Sequence, residues 1–105
     1  ENFYNKVVKF QFNELCDKNL GSEDYIAIAN NSNFIFIENL PEFNDNNSNQ
    51  QQRFITLIDI VYEKKIPLMI TSQLDLNMIK SSKSLEEPFK RTVSRLYELT
   101  SISYN

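Results

Sequence analysis

Arg91 and Arg95 stand one helical turn apart near the end of the chain. A guanidinium held at the boundary between two units can stabilise the charge that develops on a transferring phosphate. On a solvated helix the same two residues would only pair with Glu87 and Glu98, at roughly a few tenths of a kcal/mol each. Glu38 closes the apolar run Phe34 to Ile37. An acid in that place can hold a metal ion, although acids at the ends of buried strands are common without one. Thr71, Ser72 and Gln73 follow another apolar run. The C-terminal end of a parallel strand is where a sheet presents ligand-binding groups, and a polar turn there needs no ligand. Arg53 and Asp59 are six residues apart on one helix and point to different sides of it. Each is expected to find its partner elsewhere in the fold.

Other chemistries are excluded by composition. The 105 residues contain no histidine, which removes the commonest general base and metal ligand. A phosphate-cradling loop of the form G-x-x-x-x-G-K-S/T needs two glycines, and Gly21 is the only one. Cys16 is the sole cysteine, so it forms no internal disulfide and reads as a small buried hydrophobe. A net charge of −3 suits no non-specific nucleic-acid binder. No apolar run is long enough to span a membrane, and no basic-then-apolar leader is present. Asn, Ile and Lys are abundant while Ala and Gly are scarce, which reads as codon bias of an AT-rich genome. The chain opens on Glu1, so it is expected to be a piece of a longer protein.

The elements that position these residues follow from periodicity. Val7 to Phe12 is a strand with partial alternation. Asn13 to Lys18 makes one helical turn with Leu15 and Cys16 facing in, and Gly21 marks its end. Ser22 is expected to cap a helix running to Asn31, with Glu23 and Asp24 in its first turn. Phe34 to Ile37 reads as a central parallel strand buried on both faces. The segment from Asn44 to Asn49, followed by Gln50 to Gln52, reads as a solvated loop entering a helix. That helix spans about Ser48 to Lys64, with Phe54, Leu57, Ile58 and Val61 on one stripe. Pro67 follows it, and Leu68 to Ile70 is a third strand, completing a βαβ crossover. A short helix is expected near Asp75 to Lys80, then a polar linker from Ser81 to Glu87. Pro88 suits the first position of a last helix that carries Phe89, Val93 and Leu96 inward. The expected fold class is α/β, a three-stranded, mostly parallel sheet with flanking helices, in one unit over residues 1–105.

Three strings carry a resemblance. Phe12-Asn13-Glu14-Leu15-Cys16 precedes Leu20-Gly21-Ser22-Glu23-Asp24-Tyr25-Ile26. Asn49 precedes Arg53-Phe54-Ile55-Thr56-Leu57-Ile58-Asp59, with Tyr62 after it. Arg91-Thr92-Val93-Ser94-Arg95-Leu96 is followed by Glu98 and Ser101. In this order, over Phe10 to Tyr104, they resemble the C-terminal portion of the ZapE-type cell-division ATPases and of their mitochondrial AFG-like relatives. The chain departs from that pattern at Asn39 and Leu40 and at Gln50 to Gln52, in a loop and at a helix start.

The resemblance implies part of an AAA+ P-loop ATPase whose Walker motifs and first sensor lie upstream. ATP and Mg are then cofactors of the full-length family, with none bound by this chain alone. The implied partners are the rest of its own ATPase chain, further copies in a homo-oligomer, and cell-division or quality-control proteins. The implied location is the bacterial cytoplasm, or the mitochondrial matrix in a eukaryote. Arg95 and Arg91 become candidates for a nucleotide or inter-subunit contact. Arg95 is the stronger of the two, because Ser94 and Leu96 beside it belong to the most distinctive string and Arg91 has Glu87 one turn before it. The competing reading is a non-enzymatic interaction module separated from its ATPase half.

Overall fold

The computed structural model describes residues 7–16, 20–72 and 80–100. Strand β1 (Val7–Gln11) leads into a short helix α1 (Phe12–Cys16), then helix α2 (Ser22–Asn30) and strand β2 (Phe34–Leu40). Helix α3 (Ser48–Glu63), strand β3 (Leu68–Ser72) and helix α4 (Glu86–Thr100) follow, with single 3-10 turns at Asp45–Asn47 and Lys83–Leu85. The sheet has three strands in the order β1-β2-β3, and both pairings are parallel. Val8 lies beside Ile35 and Phe10 beside Ile37, while Leu68 and Ile70 flank the same two residues from β3.

The core lies on one face of this sheet. Ile35 and Ile37 of β2 are wholly buried, and Phe54, Leu57, Ile58 and Val61 of α3 cover them. The i, i+3, i+4, i+7 stripe is therefore the buried face of α3, and each member is worth roughly 1.5–3 kcal/mol in apolar burial. Phe89 and Leu96 extend the core from α4, Leu15 and Cys16 from α1, and Tyr25 and Ala29 from α2. Phe12, Phe43, Phe54 and Phe89 meet as a ring cluster with centroids 5.4–5.9 Å apart. Phe43 sits in an otherwise polar loop, where no periodicity announces it.

Several expectations change in detail. Phe12 opens α1 instead of closing β1, because its ring turns into the aromatic cluster. Gly21, not Ser22, is the N-cap of α2, since the Asp24 carboxylate reaches back 2.8 Å to accept the Gly21 N–H. Strand β2 is central and parallel, but Phe34 and Phe36 stay half-exposed on the face away from the helices. Helix α4 begins at Glu86, so Pro88 is its third residue; first-turn N–H groups have no intrahelical acceptor, and proline is tolerated there. Val93 packs against the core as expected but stays half-buried, and Thr92 beside it is wholly buried.

The polar segments are also more ordered than composition suggests. Asn44 caps its 3-10 turn by accepting the Asn46 N–H at 2.8 Å, and Asn47 accepts the Asn44 N–H at 2.8 Å. Gln51 is wholly buried, where a solvated start to the helix was expected. Its amide donates to Ser81 Oγ at 2.7 Å and accepts the Ser82 N–H at 3.1 Å. This single side chain ties α3 to the approach of α4, and Ser81–Glu87 is accordingly no free linker. The expected helix near Asp75 to Lys80 lies outside the described residues, except Lys80, which is irregular.

Candidate functional site

The end of α3 and the middle of α4 bring two of the three strings together. Asp59 and Arg95 form an ion pair between Oδ1 and Nη1. The Arg95 guanidinium also lies over the Tyr62 ring, 4.6 Å from its centroid. The Tyr62 hydroxyl donates to Glu98 Oε1 at 2.9 Å. That acceptor, and the negative charge it carries, raise the Tyr62 pKa, against a smaller opposing pull from Arg95. Arg95 thus has a carboxylate at its edge and a ring beneath its plane, the two contacts that a planar guanidinium makes best.

The other end of α3 joins the first string. Arg53 Nη1 donates to the Cys16 carbonyl at 3.1 Å. The Tyr25 hydroxyl donates to the Leu15 carbonyl at 2.6 Å. Burial is the main reason that the Tyr25 pKa is pushed far above its ordinary value, with the Cys16 thiol adding to it and Arg53 opposing it. Arg53 and Asp59 do point apart and find separate partners, as their spacing requires. The pairs Glu87–Arg91 and Arg95–Glu98 do not form. Lys90 takes Glu87 at 3.2 Å, Asp59 takes Arg95, and Tyr62 takes Glu98.

Beside the Asp59–Arg95 pair, a cleft of about 640 Å³ opens between α2, α3 and α4. Ile26 and Ile60 give it apolar walls, Lys64 and Arg91 bring positive charge, and Glu63 brings a negative one. Ile26 is one of two large hydrophobic residues exposed among the described residues. The Arg91 side chain has no ion pair or hydrogen bond among the described residues, and it is exposed. The site residues predicted from sequence therefore line one cleft but differ in state: Arg95 is engaged within the fold, and Arg91 has no partner among the described residues.

The polar groups at the strand ends are consumed internally. Glu38 accepts from Gln11 Nε2 at 2.7 Å and lies 3.4 Å from Lys9 Nζ. Thr71 Oγ1 accepts the backbone N–H of Asn39 at 3.0 Å, and Ser72 Oγ donates to the Leu40 carbonyl at 3.3 Å. Asn39 has a φ of 65°, in the left-handed region, where the register between β2 and β3 slips. Asparagine tolerates that conformation better than most residues. Gln73 lies outside the described residues. No group of His, Cys, Asp or Glu suited to a metal ion occurs among the described residues.

The AFG1-like ATPase family model matches residues 1–105, the whole sequence. The chain belongs to the AFG1-like ATPase family. It is 28% identical over 100 residues to the cell division protein ZapE of Escherichia coli K12, covering 95% of this chain and 27% of that protein. It is 34% identical over 73 residues to lactation elevated protein 1 homolog B of Danio rerio, covering 70% of this chain and 14% of that one. The chain thus spans about a quarter of the bacterial relative and less of the fish protein. No solved structure matches it. In this AFG1-like chain, Arg53 ties α3 to α1, and Arg95 ties α4 to Asp59 and Tyr62 of α3. No helix among the described residues is long and apolar enough to cross a membrane.

Proposed function

We propose that this chain is the C-terminal α/β portion of an ATP-hydrolysing AAA+ protein of the AFG1-like kind, and that its α2–α3–α4 cleft contacts another unit of that machine. The observation that carries the reading is the family match over all 105 residues, in a chain that spans only 27% of the bacterial relative. The Walker motifs, and with them ATP and Mg, belong to the rest of the polypeptide in this reading. A sequence with a single glycine supplies no phosphate cradle of its own. Arg91, exposed at the cleft and without a partner among the described residues, is the residue suited to reach a neighbouring subunit or its nucleotide. Arg95 holds the wall of the cleft through Asp59 and Tyr62. The bacterial relative's name supports a role in cell division, and a bacterial cytoplasmic or mitochondrial matrix location accords with the family.

Nucleotide binding tests the reading. Residues 1–105 alone should show no thermal stabilisation by ATP and Mg and no phosphate release, whereas the full-length protein should turn ATP over. Turnover by the isolated chain, or none by the full-length protein, overturns it. The second outcome would leave an interaction module without ATPase activity.

A further inference from the structure

We propose that the cleft between α2, α3 and α4 is a peptide site, which takes a polypeptide segment presenting a carboxylate beside an aliphatic side chain. This rests on the reading above that the cleft is a contact surface, and it names the chemistry of what is contacted. The lining is mixed. Ile26 of α2 is 39% exposed, and Ile60 of α3 is half-buried in the same cleft. Three cations, Lys64, Arg91 and Arg95, share it with two anions, Asp59 and Glu63. Asp59 and Arg95 neutralise one another as an ion pair. Lys64 and Arg91 are exposed, and their side chains have no ion pair or hydrogen bond among the described residues. Glu63 offsets one of those two charges and leaves the other. Positive charge is therefore in excess here, in a chain whose net charge is −3.

A phosphate does not fit the same walls. Phosphates are held by backbone N–H groups at helix N-termini or in glycine-rich turns. None of the described lining residues lies in the first turn of its helix, and Gly21 is not among them. α3 instead presents its last turns, where the helix dipole is negative, and the acids Asp59 and Glu63 stand there too. That end of the helix repels a polyanion. None of the described lining residues is aromatic either, so a base would find no ring to stack on. A single carboxylate asks for less. The planar fork of Arg91 pairs with it edge to edge, and the Lys64 ammonium adds a second donor. An aliphatic side chain on the same segment would cover Ile26 and Ile60, which water now reaches. The volume of about 640 Å³ has room for both groups.

The test follows the fluorescence anisotropy of a fluorescein-labelled Leu-Asp-Ile-Glu-Leu peptide and of its Leu-Asn-Ile-Gln-Leu counterpart. Each is titrated with the full-length protein, saturated with ADP and Mg, at constant ionic strength. The acidic peptide should bind, and the amide counterpart should bind at least about fivefold more weakly. Arg91→Ala, Lys64→Ala and Ile26→Ser should each weaken the acidic peptide by about fivefold or more. All three side chains are exposed, so the variants keep the fold. Lys83→Ala, at an exposed lysine outside the cleft, should change nothing. Tripolyphosphate should not displace the peptide. Equal affinity for the two peptides, no binding of either, indifference to the cleft substitutions, or displacement by tripolyphosphate overturns the proposal. ATP turnover of the same preparations is read separately. Peptide binding at the cleft without turnover leaves this site standing and ends the ATPase reading. Turnover without peptide binding does the reverse.

Discussion

Arg95 reaches across from α4 to Tyr62 on α3, with its guanidinium 4.6 Å from the ring centroid and its edge on Asp59. One side chain thus joins two helices that meet late in the chain through two kinds of contact. The pair is only partly shielded, at 26% and 39% exposure, so its strength is modest. A double-mutant cycle of Asp59→Ala and Arg95→Ala should return a coupling of about 1 kcal/mol in urea unfolding. Arg95→Lys should recover less than half of it, because lysine keeps the charge but loses the stacked fork. Additive effects of the two substitutions would show that the pair adds nothing to the fold.

Leu57 is wholly buried on the stripe of α3, and Thr56 beside it is half-exposed. Leu57→Ala should cost about 2–5 kcal/mol by leaving a cavity against the sheet. Among the described residues, Thr56 Oγ1 bonds only the Gln52 carbonyl of its own helix, at 3.1 Å. Thr56→Ala should change stability by less than about 0.5 kcal/mol. Denaturant titration of both variants compares the two positions directly.

Alkaline pH should expose the buried phenol of Tyr25. Its folded pKa is raised above the unfolded value of about 10, chiefly by burial. The stability it contributes is fully present below that unfolded pKa and declines as pH rises above it. Tyr25→Phe should cost about 1–2 kcal/mol at neutral pH, by leaving the Leu15 carbonyl without its donor. The gap between wild type and variant should then narrow above about pH 10 in thermal melts. In an ultraviolet titration of the wild type, one tyrosine should ionise only with unfolding, and that step should vanish in Tyr25→Phe.

Lys65 ends α3 in a left-handed conformation, with φ at 57°. Its N–H reaches the Tyr62 carbonyl at 3.1 Å, and the Ile66 N–H reaches Val61 at 3.2 Å. These two bonds form a Schellman cap, whose left-handed position favours glycine. Lys65→Gly should therefore stabilise the chain by roughly 0.5–1 kcal/mol, read as a rise in Tm. A fall in Tm would mean that the lysine stem packs on the helix end.

What was legible in the sequence is what periodicity encodes. The stripe Phe54, Leu57, Ile58 and Val61 has helical spacing and one continuous buried face. Phe34 to Ile37 is long and β-branched enough to mark the central strand. The divergence of Arg53 and Asp59 also follows from helical geometry, and their separate partners bear it out. Single side chains whose role is set by distant parts of the chain were not legible. Phe43 is an isolated aromatic in a polar loop, yet it joins the ring cluster. Gln51 sits in a polar run that reads as solvated, yet it is buried against Ser81 and Ser82, thirty and thirty-one residues away. Local pairing rules also misled for α4, because Glu87 and Glu98 had closer partners in Lys90 and Tyr62.

The same geometry separates the two arginines in function. The sequence favoured Arg95, through the string around it. The fold gives Arg95 two internal partners and leaves Arg91 exposed at the cleft, next to the walls formed by Ile26 and Ile60. Arg91→Ala in the full-length protein should alter stability by less than about 0.5 kcal/mol, since it breaks no contact within the described residues. If its guanidinium reaches a nucleotide or a neighbouring subunit, ATP turnover should fall by about tenfold or more. Arg91→Lys should restore little when the contact is a planar fork on phosphate or carboxylate, and most of it when only charge matters. Arg95→Ala should act differently, lowering Tm first and turnover in proportion to the folded fraction. Steady-state turnover and Tm, measured together on the three variants, decide the matter. Wild-type turnover in Arg91→Ala would remove it from the site, and a loss of turnover in Arg95→Ala beyond its loss of fold would put Arg95 in its place.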